Sequence, residues 1–230
     1  MVSINISRAT PTYFLEPKFE RWLDEQAEKF NEIDVPNFIT HDKMTNVQKR
    51  TASELETMAS KINDVVGTHT TNASKWSGNL DFYDDSATKQ ASKLPNCNIA
   101  VKFDSTEHHL VHENLHSRSV SWYPQGTYTK NKTWEEIPIE FFAREICQKE
   151  GYSYERSSAH KAVDNLIELN KSLELYPTDY EFAKELFEAD VTARKNWLID
   201  KVIEKVPDMN TYVSKYKELI DDIKYEYLFE

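Results

Sequence analysis

Apolar side chains recur every three or four residues over several stretches of the chain, which is the spacing of an amphipathic helix. The first stretch runs from Lys18 to Ile33 and the second from about Thr45 to Val66. Pro36 breaks the pattern between them, and Gly67 supplies a stop for the second helix. Residues 1–67 are therefore predicted to form an N-terminal helical region.

After this region the pattern changes from helical spacing to alternation. Residues 75–83 and 98–103 alternate large and polar side chains, as half-buried strands do, and residues 84–95 between them are interpreted as a loop with at most a short helical turn. A helix is then predicted from about Thr106 to Arg118, with its N-cap at residues 104–105.

An aromatic stretch without regular spacing follows, over residues 119–132, and it is interpreted as a loop. The next helix is predicted over residues 133–149, because the acidic pair Glu135-Glu136 favours a helix N-terminus. Pro138 is expected within the first turn of this helix, where its missing N–H is tolerated.

The last third of the chain returns to helical spacing throughout. The predicted helices cover residues 157–173, 179–188, 189–205 and 209–228. Residues 151–230 are therefore predicted to form a C-terminal helical subdomain. Together with the two short strands, these patterns predict an α+β fold in which helices flank a small sheet.

Composition and net charge limit the binding partners and cellular locations expected for the chain. The chain has 230 residues and a net charge of -11, which disfavours nucleic acid and anionic membrane surfaces as partners. The sequence has no apolar run of the roughly 18 residues that a membrane span needs. The N-terminus lacks the basic-then-apolar layout of a secretory signal, so a cytoplasmic location is expected. Cys97 and Cys147 are expected to be buried free thiols.

The most informative motif is H-E-x-x-H, formed here by residues 112–116. On a helix, positions i and i+4 share one face, so His112 and His116 can offer two imidazoles to one metal ion. Glu113 lies beside them, where a carboxylate can take a proton from water. The motif therefore predicts a catalytic metal centre with Glu113 as general base.

A catalytic zinc needs three protein ligands and one position left for water. The third ligand is sought in the acidic stretch that opens the next helix, where Glu136 follows His116 after 19 intervening residues. Glu140 lies one turn beyond Glu136 on the same face. A carboxylate at that place can hold the second nitrogen of a ligating imidazole. Glu140 or Glu145 could also replace Glu136 as the ligand.

Residues 75–150 resemble the gluzincin type of zincin metallopeptidase, in which H-E-x-x-H on one helix is completed by Glu from a following helix. In the thermolysin-like pattern that helix carries Asn-Glu-x-x-x-Asp, and residues 135–140 stand in its place. Position 135 is Glu rather than Asn, and Glu140 is longer than Asp. The resemblance implies a zincin-like metal-binding core over residues 68–150.

By this resemblance, the chain is a zinc-dependent metallopeptidase-like protein that hydrolyses peptide bonds in a peptide or protein substrate. Zn²⁺ would be held by His112, His116 and Glu136. Glu140 would hydrogen-bond to a ligating imidazole, and Glu113 would act as general base.

Stabilisers of the transition state are harder to assign from sequence. Negative charge that builds on the substrate carbonyl needs a Tyr, His or Arg nearby. Tyr123 and Tyr128 are candidates from the aromatic stretch, and Tyr154, Arg156 and His160 are candidates from the helical part.

Other interpretations of the histidines stay open. His108, His109, His112 and His116 could form a polar helix face that binds nothing. The histidines could also hold a metal for structure alone, or hold it one turn earlier through His108 and His112. The residues around the motif are also similar to segments of minor head or minor structural proteins of bacteriophages and mobile elements. That resemblance implies a non-catalytic virion protein with a zincin-like fold, located in the host cytoplasm or a phage particle and associated with other virion proteins.

Overall fold

Helices make up most of the residues that the structure describes, and the strands of a small sheet lie between the first two helices in the sequence. The structure is a computed structural model, and it describes residues 37–223 except 85, 88, 120–124 and 207. The helix predicted at residues 18–33 lies outside the described residues. The elements in chain order are helix α1 (Asn46–His69), strands β1 (Leu80–Phe82), β2 (Ala91–Lys93) and β3 (Ile99–Val101), and helices α2 (Glu107–His116), α3 (Gln125–Glu150), α4 (His160–Leu173), α5 (Asp179–Glu188) and α6 (Arg194–Lys205).

Helix α1 confirms the second predicted helix and extends slightly beyond it. The Thr45 side chain accepts a hydrogen bond from the Gln48 backbone, and the Gln48 side chain accepts one from the Thr45 backbone, which forms a capping box. The predicted stop at Gly67 is wrong, because the helix continues through it to His69. A Cβ at Gly67 would lie 3.2 Å from the Arg118 guanidinium, so glycine admits this buried side chain against α1.

The sheet has three strands in the order β1-β3-β2. Strand β3 is central and buried, and it pairs in parallel with β1 and antiparallel with β2. The two predicted strands are confirmed but shorter, while the prediction of a loop over residues 84–95 is wrong at β2. The sequence of β2 is Ala-Ser-Lys, which has no apolar alternation, so this edge strand forms through its pairing with β3.

Helix α2 confirms the helix predicted to carry the motif. Its N-cap is Thr106 rather than residues 104–105, and the Thr106 backbone N–H donates to His109 Nδ1 at 3.1 Å. Leu110, Val111 and Leu115 are buried in the core. These three residues fix which face of α2 turns inward and therefore where its histidines lie.

Helix α3 is longer than predicted. Residues 125–132, predicted as part of a loop, are helical, and the backbone departs from helical angles at Asn131 (φ -117°, ψ 19°). Pro138 lies inside the helix and not in its first turn. Since proline has no N–H, the carbonyl of Trp134 loses its helical donor. Arg194 replaces that donor at 2.7 Å.

The C-terminal third is helical, as predicted. Helices α4 and α5 match two predicted stretches, and α6 begins at Arg194, five residues later than residue 189. The final helix is split into α7 (Met209–Thr211), a π-helix (Tyr212–Lys217) and α8 (Glu218–Asp221). The chain is thus a mixed α+β protein, mostly helical, with a small three-stranded sheet. None of the described helices has the length and apolarity to cross a membrane.

The two cysteines differ in burial. Cys147 is buried, as predicted, and burial raises the pKa of its thiol to about 12. Cys97 is only partly buried and has a left-handed backbone conformation (φ 69°) in the turn before β3, so the prediction of burial is wrong for it.

Candidate metal centre

The centre lies where α2 packs against α3. His108, His112 and His116 follow one another at four-residue steps on α2, and Glu136 and Glu140 do so on α3. Glu136 lies between His112 and His116, whereas Glu140 lies between His108 and His112. The two helices therefore run in opposite directions and interleave imidazoles with carboxylates.

Two groups of residues in this ladder could hold a metal ion, and they share one imidazole. We name them site 1 (His112, His116 and Glu136) and site 2 (His108, His112 and Glu140). Site 1 contains the three residues predicted as metal ligands. Site 2 corresponds to the alternative prediction in which the metal lies one turn earlier on α2.

The donor atoms of site 1 form a nearly equilateral triangle. Nε2 of His112 lies 3.1 Å from Nε2 of His116, and Oε2 of Glu136 lies 3.4 Å and 3.3 Å from these two atoms. Ligands at 2.0–2.1 Å from a tetrahedral zinc ion are about 3.3 Å apart. The spacing of the three atoms therefore fits one face of such a tetrahedron.

Glu140 orients the His112 ring from behind. His112 Nδ1 donates to Glu140 Oε2 at 2.9 Å, and the Tyr154 hydroxyl donates to Glu140 Oε1 at 3.0 Å. The hydrogen bond keeps a proton on Nδ1 of His112, so Nε2 is the nitrogen that can bind a metal in site 1 once it is deprotonated. Glu140 thus lies where the resemblance implies, beside a ligating imidazole. Tyr154, which the sequence suggests as a stabiliser of the transition state, contacts Glu140.

His116 has its own carboxylate partner, which sequence reasoning did not identify. Its Nδ1 lies 3.4 Å from Oε1 of Glu135, a residue treated from sequence only as a departure from Asn. The other oxygen of Glu135 accepts hydrogen bonds from the Ser119 hydroxyl at 2.8 Å and from Arg194 at 3.0 Å. Arg194 is fully buried and also binds the carbonyl that Pro138 leaves without a helical donor. Pro138, which lies between Glu136 and Glu140 in the sequence, is the sequence feature that points to this contact with Arg194.

Glu113, the predicted general base, lies on α2 beside site 1. The residue is buried to 7% exposure, and its charge contributes to raising the pKa of both His112 and His116. Burial lowers the pKa of Lys93, and the negative charge of Glu113 opposes this effect. Lys93 lies on β2, which packs against α2. Glu113 is therefore near the metal ligands without belonging to either site.

Among the predicted stabilisers whose side chains the structure describes, Tyr154 contacts Glu140 at the centre, whereas His160 and Arg156 have their partners elsewhere. Tyr123 lies outside the described residues, and so does the side chain of Tyr128. His160 begins α4, where its Nδ1 donates to the Ser157 carbonyl at 2.7 Å, and it belongs to neither site. Arg156 forms an exposed ion pair with Asp164.

The charges of the imidazoles and carboxylates at the centre compensate one another. Burial alone would lower the pKa of His116, but Glu136 and Glu135 raise it to about 9. Hydrogen bonds to Glu136 and Glu140 likewise raise the pKa of His112 above its ordinary value despite burial. Burial opposes ionisation of Glu136 and Glu140, yet the neighbouring imidazoles hold the pKa of both carboxyls below the ordinary value.

We expect metal uptake to strengthen as the pH rises. A ligating imidazole must be neutral, and the raised pKa of both imidazoles of site 1 favours their protonated form. Zinc must therefore displace protons, and its apparent affinity should increase up to about tenfold per pH unit for each proton displaced. Competition with a chromophoric chelator at pH 6, 7 and 8 measures this dependence.

The stability of the metal-free protein should change in the opposite direction. A histidine whose pKa is raised on folding stabilises the fold below its unfolded pKa of about 6.5, and that contribution is lost as the pH rises through about 9. For the zinc prediction, an affinity that stays constant from pH 6 to 8 would contradict the raised pKa of the two imidazoles.

Comparison of the chain with protein-family models, curated proteins and solved structures finds no match. The resemblance to gluzincins therefore stays a prediction that depends on the motif residues themselves.

Proposed function

We propose that the chain is a zinc-dependent metallopeptidase-like protein that hydrolyses peptide bonds. The observation that carries the proposal is the triangle of donor atoms in site 1, with edges of 3.1, 3.3 and 3.4 Å. Two imidazole nitrogens and one carboxylate oxygen are a donor set that suits zinc, and two His with one Glu is a known combination in catalytic zinc sites.

The surrounding residues support a defined tautomer of each ligating imidazole. Glu140 faces Nδ1 of His112, and Glu135 faces Nδ1 of His116, so each ring can direct Nε2 at a common point. Such carboxylate partners hold metal ligands in place before the ion arrives. The structure thus supplies preorganisation as well as donor atoms.

Catalysis in this proposal rests on Glu113. A zinc ion, when bound, supplies positive charge that favours ionisation of water and polarises a substrate carbonyl. Glu113 accepts the proton from the attacking water and delivers it to the leaving amine. Glu113 is 7% exposed, which limits its contact with bulk solvent.

The first test is metal content. We expect elemental analysis of the full chain, purified without added metal, to show about one zinc per chain. The double variant His112→Ala/His116→Ala should contain none, because it removes both imidazole ligands of site 1. His41→Ala is the matched control, since His41 is exposed and lies outside both sites. Absence of metal from the wild-type chain would overturn the proposal.

The second test is hydrolysis. A quenched fluorescent peptide library should be cleaved by the zinc-loaded chain, and a chelator should stop the cleavage until zinc is restored. A chain that binds zinc and cleaves no peptide in the library would contradict the peptidase proposal and favour a structural role for the metal.

A further inference from the structure

His108 is a buried histidine that the proposed mechanism does not use. It is 4% exposed, and neither of its ring nitrogens has a hydrogen-bond partner among the described residues. Its Nε2 lies 3.3 Å from Glu140 Oε1 but in an orientation that does not form a hydrogen bond. A buried polar atom without a hydrogen-bond partner destabilises the fold, so such an atom calls for a ligand or another explanation.

The neighbours of His108 are those that a metal ion requires. One ligand atom from each residue of site 2 lies within 4.8 Å of the other two. Glu140 is in reach of His108 through one oxygen and of His112 Nδ1 through the other, at 3.3 Å and 2.9 Å. The hydroxyl of Tyr154 lies 3.0 Å from the same carboxylate.

We infer that site 2 is a second binding site for a divalent ion such as zinc, and that it is an alternative to site 1. The inference rests on the proposed function for the ion that occupies site 1. The two sites share the imidazole of His112, using Nε2 for site 1 and Nδ1 for site 2. A neutral imidazole has one lone pair and one N–H, so it binds one ion at a time. The chain therefore holds one ion, at either of two positions.

The spacing of the donor atoms indicates which of the two sites binds the ion more tightly. The donor atoms of site 1 already have the spacing of a tetrahedral ion, whereas Glu140 faces His108 and His112 of site 2 through different oxygens, at 3.3 Å and 2.9 Å, and must turn to bring one oxygen onto the ion. Site 2 should therefore bind more weakly. Occupancy of site 2 also takes Glu140 away from its hydrogen bond to His112, so the same carboxylate supports site 1 or serves as a ligand of site 2.

Site 2 is also the more enclosed. The residues found only in site 2, His108 and Glu140, are 4% and 1% exposed, whereas those found only in site 1, His116 and Glu136, are 4% and 7% exposed. We therefore expect an ion in site 2 to be less accessible to substrate than an ion in site 1.

Zinc titration of four full-length variants tests the inference. His116→Ala disables site 1 and should still bind one zinc per chain, with an affinity lowered about tenfold or more. His108→Ala disables site 2 and should bind one zinc as tightly as the wild type. The double variant His108→Ala/His116→Ala should bind at least 100-fold more weakly than His116→Ala. His112→Ala removes the shared imidazole and should lose binding at both sites.

The outcomes separate this inference from the proposed function. A wild-type chain that binds no zinc refutes the proposed function. Zinc in the wild type combined with none in His116→Ala refutes site 2 alone. Equal affinities of His116→Ala and the double variant would also refute it.

A second set of variants tests the inference if His116→Ala fails to fold. Glu136→Gln weakens site 1 while retaining every imidazole, and Glu136→Gln/His108→Gln should then lose the remaining zinc. Where His116→Ala does fold, the visible spectrum of bound Co²⁺ should be the same in Glu136→Gln and in His116→Ala, because both variants then hold the ion in site 2. Different spectra in these two variants would overturn the inference, and His41→Ala again serves as the control.

Discussion

Glu113→Gln should abolish peptide hydrolysis and leave the zinc content unchanged. Gln keeps the size of the side chain but cannot accept the proton of the attacking water, and loss of a general base typically lowers the rate roughly 10²–10⁴-fold. Glu113 belongs to neither metal site, so the ligand set remains complete. The measurement pairs initial cleavage rates with zinc content on the same preparations.

The matched control is Glu107→Gln, the same substitution on the same helix. Glu107 lies in the first turn of α2, where it accepts a hydrogen bond from the Ser153 hydroxyl at 2.7 Å, and it belongs to neither metal site. It should retain near wild-type cleavage. Cleavage by Glu113→Gln at the wild-type rate would exclude Glu113 as the base, and loss of zinc from that variant would make it a ligand.

The side chains that meet at site 1 were predictable because helices impose fixed spacing. His112 and His116 share a face by their four-residue separation, and Glu136 and Glu140 do so on the next helix. Once the two helices pack, the facing pairs follow from local geometry alone. The same logic extends to His108, which lies one further step along α2.

The support of His116 could not be predicted, because it depends on long-range contacts. Arg194 lies 59 positions beyond Glu135 in the chain, and no local pattern connects them. Pro138 gave a partial signal: inside a helix it leaves a carbonyl without a donor, and that carbonyl is bound by Arg194.

The sequence prediction is wrong in two stretches, because tertiary contacts outweigh local preference there. Residues 125–132 include glycine and two threonines, which favour a loop locally, yet they continue into the strongly apolar part of α3. Strand β2 has only three residues and no alternation, so its conformation comes from pairing with β3. In both cases the neighbouring element provides the stabilisation that the local sequence lacks.

Arg194→Met should lower the free energy of unfolding by about 3–5 kcal/mol, the usual cost of removing one partner from a buried ion pair. The side chains of Arg194 and Glu135 are both fully buried and lie 3.0 Å apart. Arg194 also donates to the carbonyls of Trp134, Phe187 and Ala189, at 2.7, 2.5 and 3.2 Å. Urea denaturation of the metal-free chain measures the loss.

The matched control is Arg156→Met, the same substitution in an exposed ion pair. Arg156 lies 2.9 Å from Asp164, but their side chains are 67% and 54% exposed, so its loss should cost less than about 1 kcal/mol. Equal losses in the two variants would contradict the importance of burial. Adding Glu135→Gln to Arg194→Met should recover part of the stability, because it removes the buried negative charge.

The effect of Arg194 should also extend to the metal. Glu135 lies between Arg194 and Nδ1 of His116, so a displaced Glu135 no longer orients that ligand. Loss of such a partner typically weakens metal binding 10–100-fold. We expect a decrease of this size in Arg194→Met, a similar one in Glu135→Gln, and no further decrease in the double variant. A non-additive result of this kind would show that Arg194 acts on the ligand through Glu135, and that α6 in the C-terminal third of the chain is part of the metal centre's support.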